Sequence, residues 1–155
     1  MKAYEGKHVD VVVEDGKEVV LHGPAVAIVA VDAESAVTFV RQERAGAHGK
    51  LLEIPAGNVD EGEEPLATAQ RELREETGLR GGDWIEVAQV YSSPGFCDER
   101  VHIFLARGVT RGEASPEGSE DIELVRVPIA EVEALIPEIE DAKTLAGLLL
   151  YLRLR

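Results

Sequence analysis

Three glutamates, Glu72, Glu75 and Glu76, stand at spacing i, i+3, i+4 within the run Pro65 to Thr77. Residues three and four apart are neighbours on a helix, so a helical run would crowd their carboxylates onto one face. The run is punctuated as a helix: proline is tolerated at the first helical position, and Gly78 is the residue type that ends helices in a left-handed turn. Leu66, Ala69 and Leu73 then form an adjoining apolar stripe. One face packs while the next gathers charge, and like charges so spaced repel by about 0.2–0.5 kcal/mol per pair even when solvated. A hard divalent cation converts that cost into a binding site, because Mg²⁺ and Mn²⁺ take oxygen ligands from a few carboxylates and from phosphate groups. A solvated face with Arg71 pairing Glu75 one turn on needs no ligand at all, so the residues around the helix must decide.

Those residues are Gly57, five positions, Glu63, seven positions, and then Arg71-Glu72-Leu73-Arg74-Glu75-Glu76-Thr77-Gly78-Leu79. The run resembles the Nudix box at every defining position. The resemblance implies a hydrolase of nucleoside diphosphates linked to another moiety, dependent on Mg²⁺ or Mn²⁺. It also implies an α/β fold, the Nudix-type α/β/α sandwich with a mixed sheet, in which the box forms a loop, a helix and a loop. By the same resemblance Glu72, Glu75 and Glu76 are metal ligands, Glu75 and Glu76 are catalytic, Arg71 orients a glutamate, and Glu63 ties the box loop to the helix. Gly57 and Gly78 are expected to supply backbone conformations closed to other residues.

Composition sets the outer bounds. A chain of 155 residues, 45% hydrophobic and 30% charged, suits a single globular domain spanning 1–155. A formal charge of −14 argues against a nucleic-acid surface, which needs clustered Lys and Arg. A nucleotide remains a reasonable substrate, since cations supply positive charge locally. The lone Cys97 forms no internal disulfide, and no leader or long apolar run stands out, so a cytoplasmic protein with no membrane partner is expected.

The elements that must position the box follow from pattern. His8 to Val13 and Glu18 to Leu21 flank an Asp-Gly turn and read as a hairpin within residues 1–22. Ala25 to Val31 is continuously apolar, suiting a strand covered on both faces. Further strands are expected at Ala36 to Arg41, Leu51 to Gly57 with a stop at Pro55, Trp84 to Val90, Val101 to Ala106 and Ile122 to Val127. Ala45 to Lys50 reads as a flexible loop. Helices are expected at Ile129 to Ile136 and Ala142 to Leu154, the second with Leu145, Leu148, Leu149 and Leu152 on one stripe.

Specificity rests on smaller matches. Pro55-Ala56-Gly57 resembles a run in one Nudix branch, which implies that the Ala56 carbonyl is a metal ligand. Arg41 and Arg44 are candidates to grip a diphosphate, because a planar guanidinium suits paired oxygens. Pro94 lies fifteen residues beyond the box in Ser93-Pro94-Gly95-Phe96-Cys97-Asp98-Glu99, which resembles the ADP-ribose pyrophosphatase branch. The substrate implied is ADP-ribose, cleaved to AMP and ribose 5-phosphate, with Pro94, Gly95 and Glu99 shaping the pocket and Glu99 accepting from ribose hydroxyls. Another sugar nucleotide, a dinucleoside polyphosphate or a non-catalytic sensor role are the alternatives. Related enzymes place a glutamate in the acidic loop Arg111 to Asp121, which makes Glu117 and Glu120 candidates for the general base, since a metal-bound carboxylate is a poor proton acceptor. The resemblance further implies a homodimer built with the N-terminal hairpin. His102 and Cys97 carry no assigned role.

Overall fold

The computed structural model describes residues 1–112 and 121–155. The N-terminal segment forms a three-stranded antiparallel sheet of β1 (Lys2–Glu5), β2 (Asp10–Glu14) and β3 (Lys17–Leu21). The hairpin of β2 and β3 is the expected one. β1 is an addition: its sequence lacks apolar alternation, and it is held by pairing Lys2, Tyr4 and Glu5 with Val12, Val11 and Asp10.

The main sheet has eight strands: β4 (Pro24–Asp32), β5 (Ala36–Arg44), β6 (Gly49–Glu53), β7 (Ala56–Asn58), β8 (Leu79–Arg80), β9 (Asp83–Tyr91), β10 (Arg100–Arg111) and β11 (Glu123–Pro128). Its central order is β11-β5-β4-β10-β8, with β6 on β5, β7 on β4 and β9 on β10. The β4–β10 pair is parallel and the others are antiparallel, so the sheet is mixed as expected. Pro55 splits the expected strand Leu51 to Gly57 in two because it offers no N–H to a ladder, though its carbonyl still accepts from Ile28 N at 2.8 Å. Residues 45–50 are more ordered than a flexible loop, with a tight turn at Ala45–Ala47 before β6 begins.

Helices cover both faces. Val26, Ile28 and Ala30 of β4 pack with Phe104 and Ala106 of β10 under α1 (Pro65–Thr77). Ala25, Ala27, Val29 and Val31 face the other way, toward α2 (Ile129–Leu135) and α3 (Ala142–Leu154). This accounts for the unbroken apolar run in β4, since a strand buried on both faces has no solvent side to alternate with.

The stripes sit a little off their expected positions. On α1 the buried residues are Thr68, Ala69, Leu73 and Thr77, whereas Leu66 is 42% exposed. On α3 they are Thr144, Gly147, Leu148 and Tyr151, and Leu149 faces solvent. Periodicity marks a helix as amphipathic, but the edge that meets the sheet is set by how the helix is docked. Leu73→Ala should therefore cost about 2–5 kcal/mol, and Leu66→Ala about 0.5 kcal/mol or less, as read from urea unfolding of the two variants. Equal losses would refute this docking of α1.

Candidate active site

The ends of α1 are built as its residue types require. Pro65 occupies the first turn, and Gly78 takes a left-handed φ of 74° while its N–H donates to Arg74 O at 2.9 Å. Between them the acidic face is organised by Arg71. Its Nε and Nη2 grip both oxygens of Glu63 at 3.1 and 3.0 Å, and its Nη1 reaches Glu72 at 2.8 Å and Glu75 at 3.1 Å. Thr68 Oγ1 adds a third hydrogen bond to Glu63 at 2.8 Å. Arg71 and Thr68 together hold the Glu63 carboxyl down at about 2. Glu63 is thus bonded from the loop before α1 to the helix, and Arg71 holds Glu63, Glu72 and Glu75.

The three helix glutamates then diverge. Glu72 and Glu76 turn into a cleft of about 410 Å³, lined also by His22, Val26, Gln42, Arg44, Ala56, Gly57, Asn58, Glu99 and Lys143. Glu75 does not line it; its side chain is 51% exposed and held by Arg71. Burial pushes the Glu72 carboxyl up, with Arg71 partly offsetting. Burial also lifts Glu76 to about 7, against a hydrogen bond from Ala56 N at 3.2 Å and with a further push from Glu72. A second, larger cavity of about 560 Å³ is lined by Asp32, Glu34, Thr77, Arg111 and Arg126 among others. It contains none of the helix glutamates, so volume is a poor guide to the chemistry here.

Two glycines serve α1 for different reasons. Gly78 adopts the left-handed turn expected of it. Gly57 does not have a left-handed φ, which corrects the expectation of a special backbone conformation. A Cβ there would instead collide with the Glu72 carboxyl group. The glycine is needed so that β7 and Glu72 can lie against each other.

Ala56 is turned toward the same place. Ile28 N donates to Pro55 O, and in an antiparallel pair the bonded and unbonded positions alternate. Ala56, opposite Ala27, therefore faces away from β4 with both its N–H, which meets Glu76, and its carbonyl. A carboxyl raised by burial, a second carboxylate and a carbonyl without a partner among the described residues form an all-oxygen donor set suited to a hard divalent cation. Among the described residues no three His, Cys, Asp or Glu side chains close around an ion unaided.

The other candidates separate by strand face. Arg44 and Gln42 of β5 line the cleft. Arg41 lies on the alternate face and pairs with Glu123 of β11 at 3.5 Å, so it is not brought beside Arg44. Glu99 reaches the cleft, 3.6 Å from His22 Nδ1. Pro94 and Gly95 do not line it; they sit in an exposed turn closed by Cys97 N donating to Ser93 O at 2.9 Å. That turn is fastened to β3, because Val20 N donates to Phe96 O and Asp98 N donates to Val20 O. Asp98 Oδ1 also accepts from His22 N at 2.7 Å and Gly23 N at 3.0 Å. Glu117 and Glu120 lie outside the described residues.

Sequence reasoning missed His22, Gln42, Asn58 and Lys143 as cleft residues, and Glu53 behind them. Glu53 is 1% exposed, yet receives Arg44 Nε and Nη2 at 2.7 and 2.8 Å and Lys143 Nζ at 2.8 Å. Burial opposes its ionisation, but hydrogen bonds from Arg44 and Lys143 prevail and hold the carboxyl below its usual range. A signal was present in Leu51-Leu52-Glu53-Ile54, where a lone charge interrupts an apolar strand.

Comparison with known proteins shows the family. The NUDIX domain model matches residues 8–148. An ADP-ribose pyrophosphatase of Bacillus subtilis is 40% identical, over 98% of this chain and 89% of that one. An ADP-ribose pyrophosphatase of Mycobacterium tuberculosis is 42% identical, over 86% of this chain and 67% of that one. A GDP-mannose pyrophosphatase of Cronobacter sakazakii is 33% identical, over 93% and 81%. A crystal structure of an ADP compounds hydrolase superposes with a TM-score of 0.81 at 21% identity, covering 99% of this chain and 90% of that one, and shows the same fold. With the family model matched over most of its length and a relative of 40% identity covered nearly end to end, the chain belongs to the Nudix family of hydrolases.

Proposed function

We propose that this protein hydrolyses the diphosphate of ADP-ribose to AMP and ribose 5-phosphate with the help of a divalent cation, Mg²⁺ or Mn²⁺. The observation that carries the reading is the cleft that Glu72 and the raised carboxyl of Glu76 line together with Arg44. The names of relatives at 40 and 42% identity support ADP-ribose as the substrate. The oxygen of water forms a new bond to one phosphorus, the bond from that phosphorus to the bridging oxygen breaks, and the bridging oxygen leaves with the other phosphate. The chain's task is to balance charge and hold the two phosphates in line. Glu72, Glu76 and the Ala56 carbonyl would hold the cation, with Glu75 at the outer side beside Arg71. Bound there, it would neutralise the phosphate oxygens and polarise the phosphorus.

Arg44, on β5, offers donors to the diphosphate in the same cleft. Glu99, with His22, offers acceptors to ribose hydroxyls, and Asp98 fixes both by fastening their backbone. Pro94 and Gly95 act on the pocket by setting the path of the turn. The sheet of β1 to β3 leaves Tyr4 and Leu21 exposed, near the exposed Phe96, which supports a homodimer formed through this region. Light scattering that returns a monomer at micromolar concentration would reject the dimer. No helix among the described residues is long and apolar enough to cross a membrane, and with a lone cysteine the chain suits the cytoplasm. Recovery of the protein in a membrane or secreted fraction would reject that location.

Incubation with ADP-ribose, GDP-mannose and Mg²⁺, followed by product identification, tests the reading directly. AMP and ribose 5-phosphate should form, with kcat/KM higher for ADP-ribose; a preference for GDP-mannose would move the protein to another branch. Glu76→Gln should lower kcat by ~100-fold or more with the melting temperature retained.

Protonation supplies a test that does not depend on turnover. The folded pKa of Glu76, about 7, lies above the ordinary 4.5. The native state therefore binds this proton more tightly than the unfolded chain, and without metal the stability from this group falls as pH rises from 4.5 to 7. Divalent cations bind the ionised form, so at pH 6.5 their binding should release a proton. Calorimetry in buffers of different ionisation enthalpy should detect the release in the wild type and find it diminished in Glu76→Gln. For the proton acceptor we compare Glu117→Gln, Glu120→Gln and the double variant at saturating metal. Loss of kcat with normal ADP-ribose binding assigns the base to that residue, and wild-type kcat in all three returns the role to the helix glutamates.

A further inference from the structure

Lys143 is in an unfavourable place for a cation. It occupies the first turn of α3, after the N-cap residue Asp141, where the helix dipole disfavours positive charge. The surrounding structure holds it there. Its Nζ donates to Asp141 Oδ1 and to Glu53 Oε2, each at 2.8 Å. Asp141 is fixed in turn by Thr144 N at 2.9 Å and Thr144 Oγ1 at 2.6 Å, and that hydroxyl accepts from Ile54 N at 2.9 Å. Through Asp141 and Thr144 the lysine is thereby tied to Ile54, the residue that follows β6. A flexible side chain so constrained has given up rotamer freedom, and it lines the same cleft as Glu72 and Glu76.

Glu53 also decides which donors remain available. It takes the Nε–Nη2 edge of Arg44, and a guanidinium has five N–H groups in a fixed fork. Among the described residues nothing takes the Nη1–Nη2 edge, which is left for a ligand. Lys143 has three N–H groups and uses two on carboxylates, so among the described residues one is left. Both cations line the cleft, and one buried carboxylate touches them both. Their remaining donors suit a group with several oxygens on adjacent phosphorus atoms, across from the carboxylates that repel it.

We propose that Lys143 contacts the diphosphate of the substrate together with Arg44, and that Glu53 is the positioning residue that aims the two cations. This rests on the function proposed above and adds a substrate-binding residue from α3, outside the box and far from it in sequence. Lys143 acts as a point charge that binds the phosphates alike in the ground and transition states, so its loss should appear chiefly in KM.

The test compares Lys143→Met, Lys143→Arg and Glu53→Gln with the wild type. Two readouts are used: steady-state kinetics on ADP-ribose with saturating Mg²⁺, and calorimetric titration with inorganic pyrophosphate and Mg²⁺. Lys143→Met should raise KM and weaken pyrophosphate binding by ~10-fold each, with a much smaller change in kcat. Lys143→Arg, which keeps the charge, should recover most of both. Glu53→Gln should weaken binding in the wild-type background and weaken it further in Lys143→Met, because Arg44 also loses its partner. Unchanged KM and pyrophosphate affinity in Lys143→Met would overturn the proposal, as would a Lys143→Arg variant as impaired as Lys143→Met. If Glu53→Gln does not fold, the Lys143 pair decides alone. If the wild type does not turn over ADP-ribose, the function proposed above fails, and the pyrophosphate titration still decides the role of Lys143.

Discussion

Negative charge held close together against its own repulsion is the constraint on which this structure turns. Glu63, Glu72 and Glu75 all meet one guanidinium, that of Arg71, and Glu76 stands apart with a backbone N–H as its hydrogen-bond partner. The arrangement is uneven. Arg71 neutralises the carboxylates that fasten the loop to α1, while the one deepest in the cleft is left to take up a proton or a cation. If Arg71 bonded all four equally, the helix would be more stable and the cleft would have little affinity for a metal. Coulomb energies at these separations are several kcal/mol at the effective dielectric of a protein surface, large against the few tenths of a kcal/mol that govern a solvated helix face.

A second charge centre mirrors the first with the signs exchanged. Arg71 is one cation among carboxylates; Glu53 is one carboxylate between cations. The first sits on α1 and the second on β6, and the cleft lies between them. A buried ion pair is usually a weak contributor to stability, because desolvation offsets attraction. What such a pair does supply is direction: Glu53 fixes which edge of Arg44 is turned outward.

Much of this was readable in the residues, and what was not is non-local. Pro65 and Gly78 bracket α1 because each has a local preference for a helix end, so the helix bounds could be read. The apolar run from Ala25 revealed a central strand for the same reason. The docked edge of each helix was misjudged at Leu66 and Leu149, because a periodic stripe is wide and only the sheet selects within it. Gly57 was visible as a glycine, yet its reason lies in Glu72, fifteen residues away. Strand β1 pairs through its backbone and leaves little trace in side-chain pattern. Arg41 and Arg44 read alike in sequence, and strand alternation alone sent one toward Glu123 and the other into the cleft. Lys143 meets Glu53 across ninety residues, a distance at which spacing carries no information.

The turn that bears Pro94 and Glu99 has no firm seat of its own. Its backbone groups are bonded to Val20 of β3, and Asp98 seals the joint at His22 and Gly23. The N-terminal sheet and the rim of the cleft are consequently one mechanical piece, although β1 and β2 contribute no residue to the cleft wall. Whatever bears on that sheet, whether a subunit that docks on it or a truncation that removes it, is felt at Glu99 as a change in where the turn is held. The first twenty-two residues thus serve the cleft as its foundation, and a shortened chain would keep the carboxylates of α1 while losing the seat of the turn that carries Glu99.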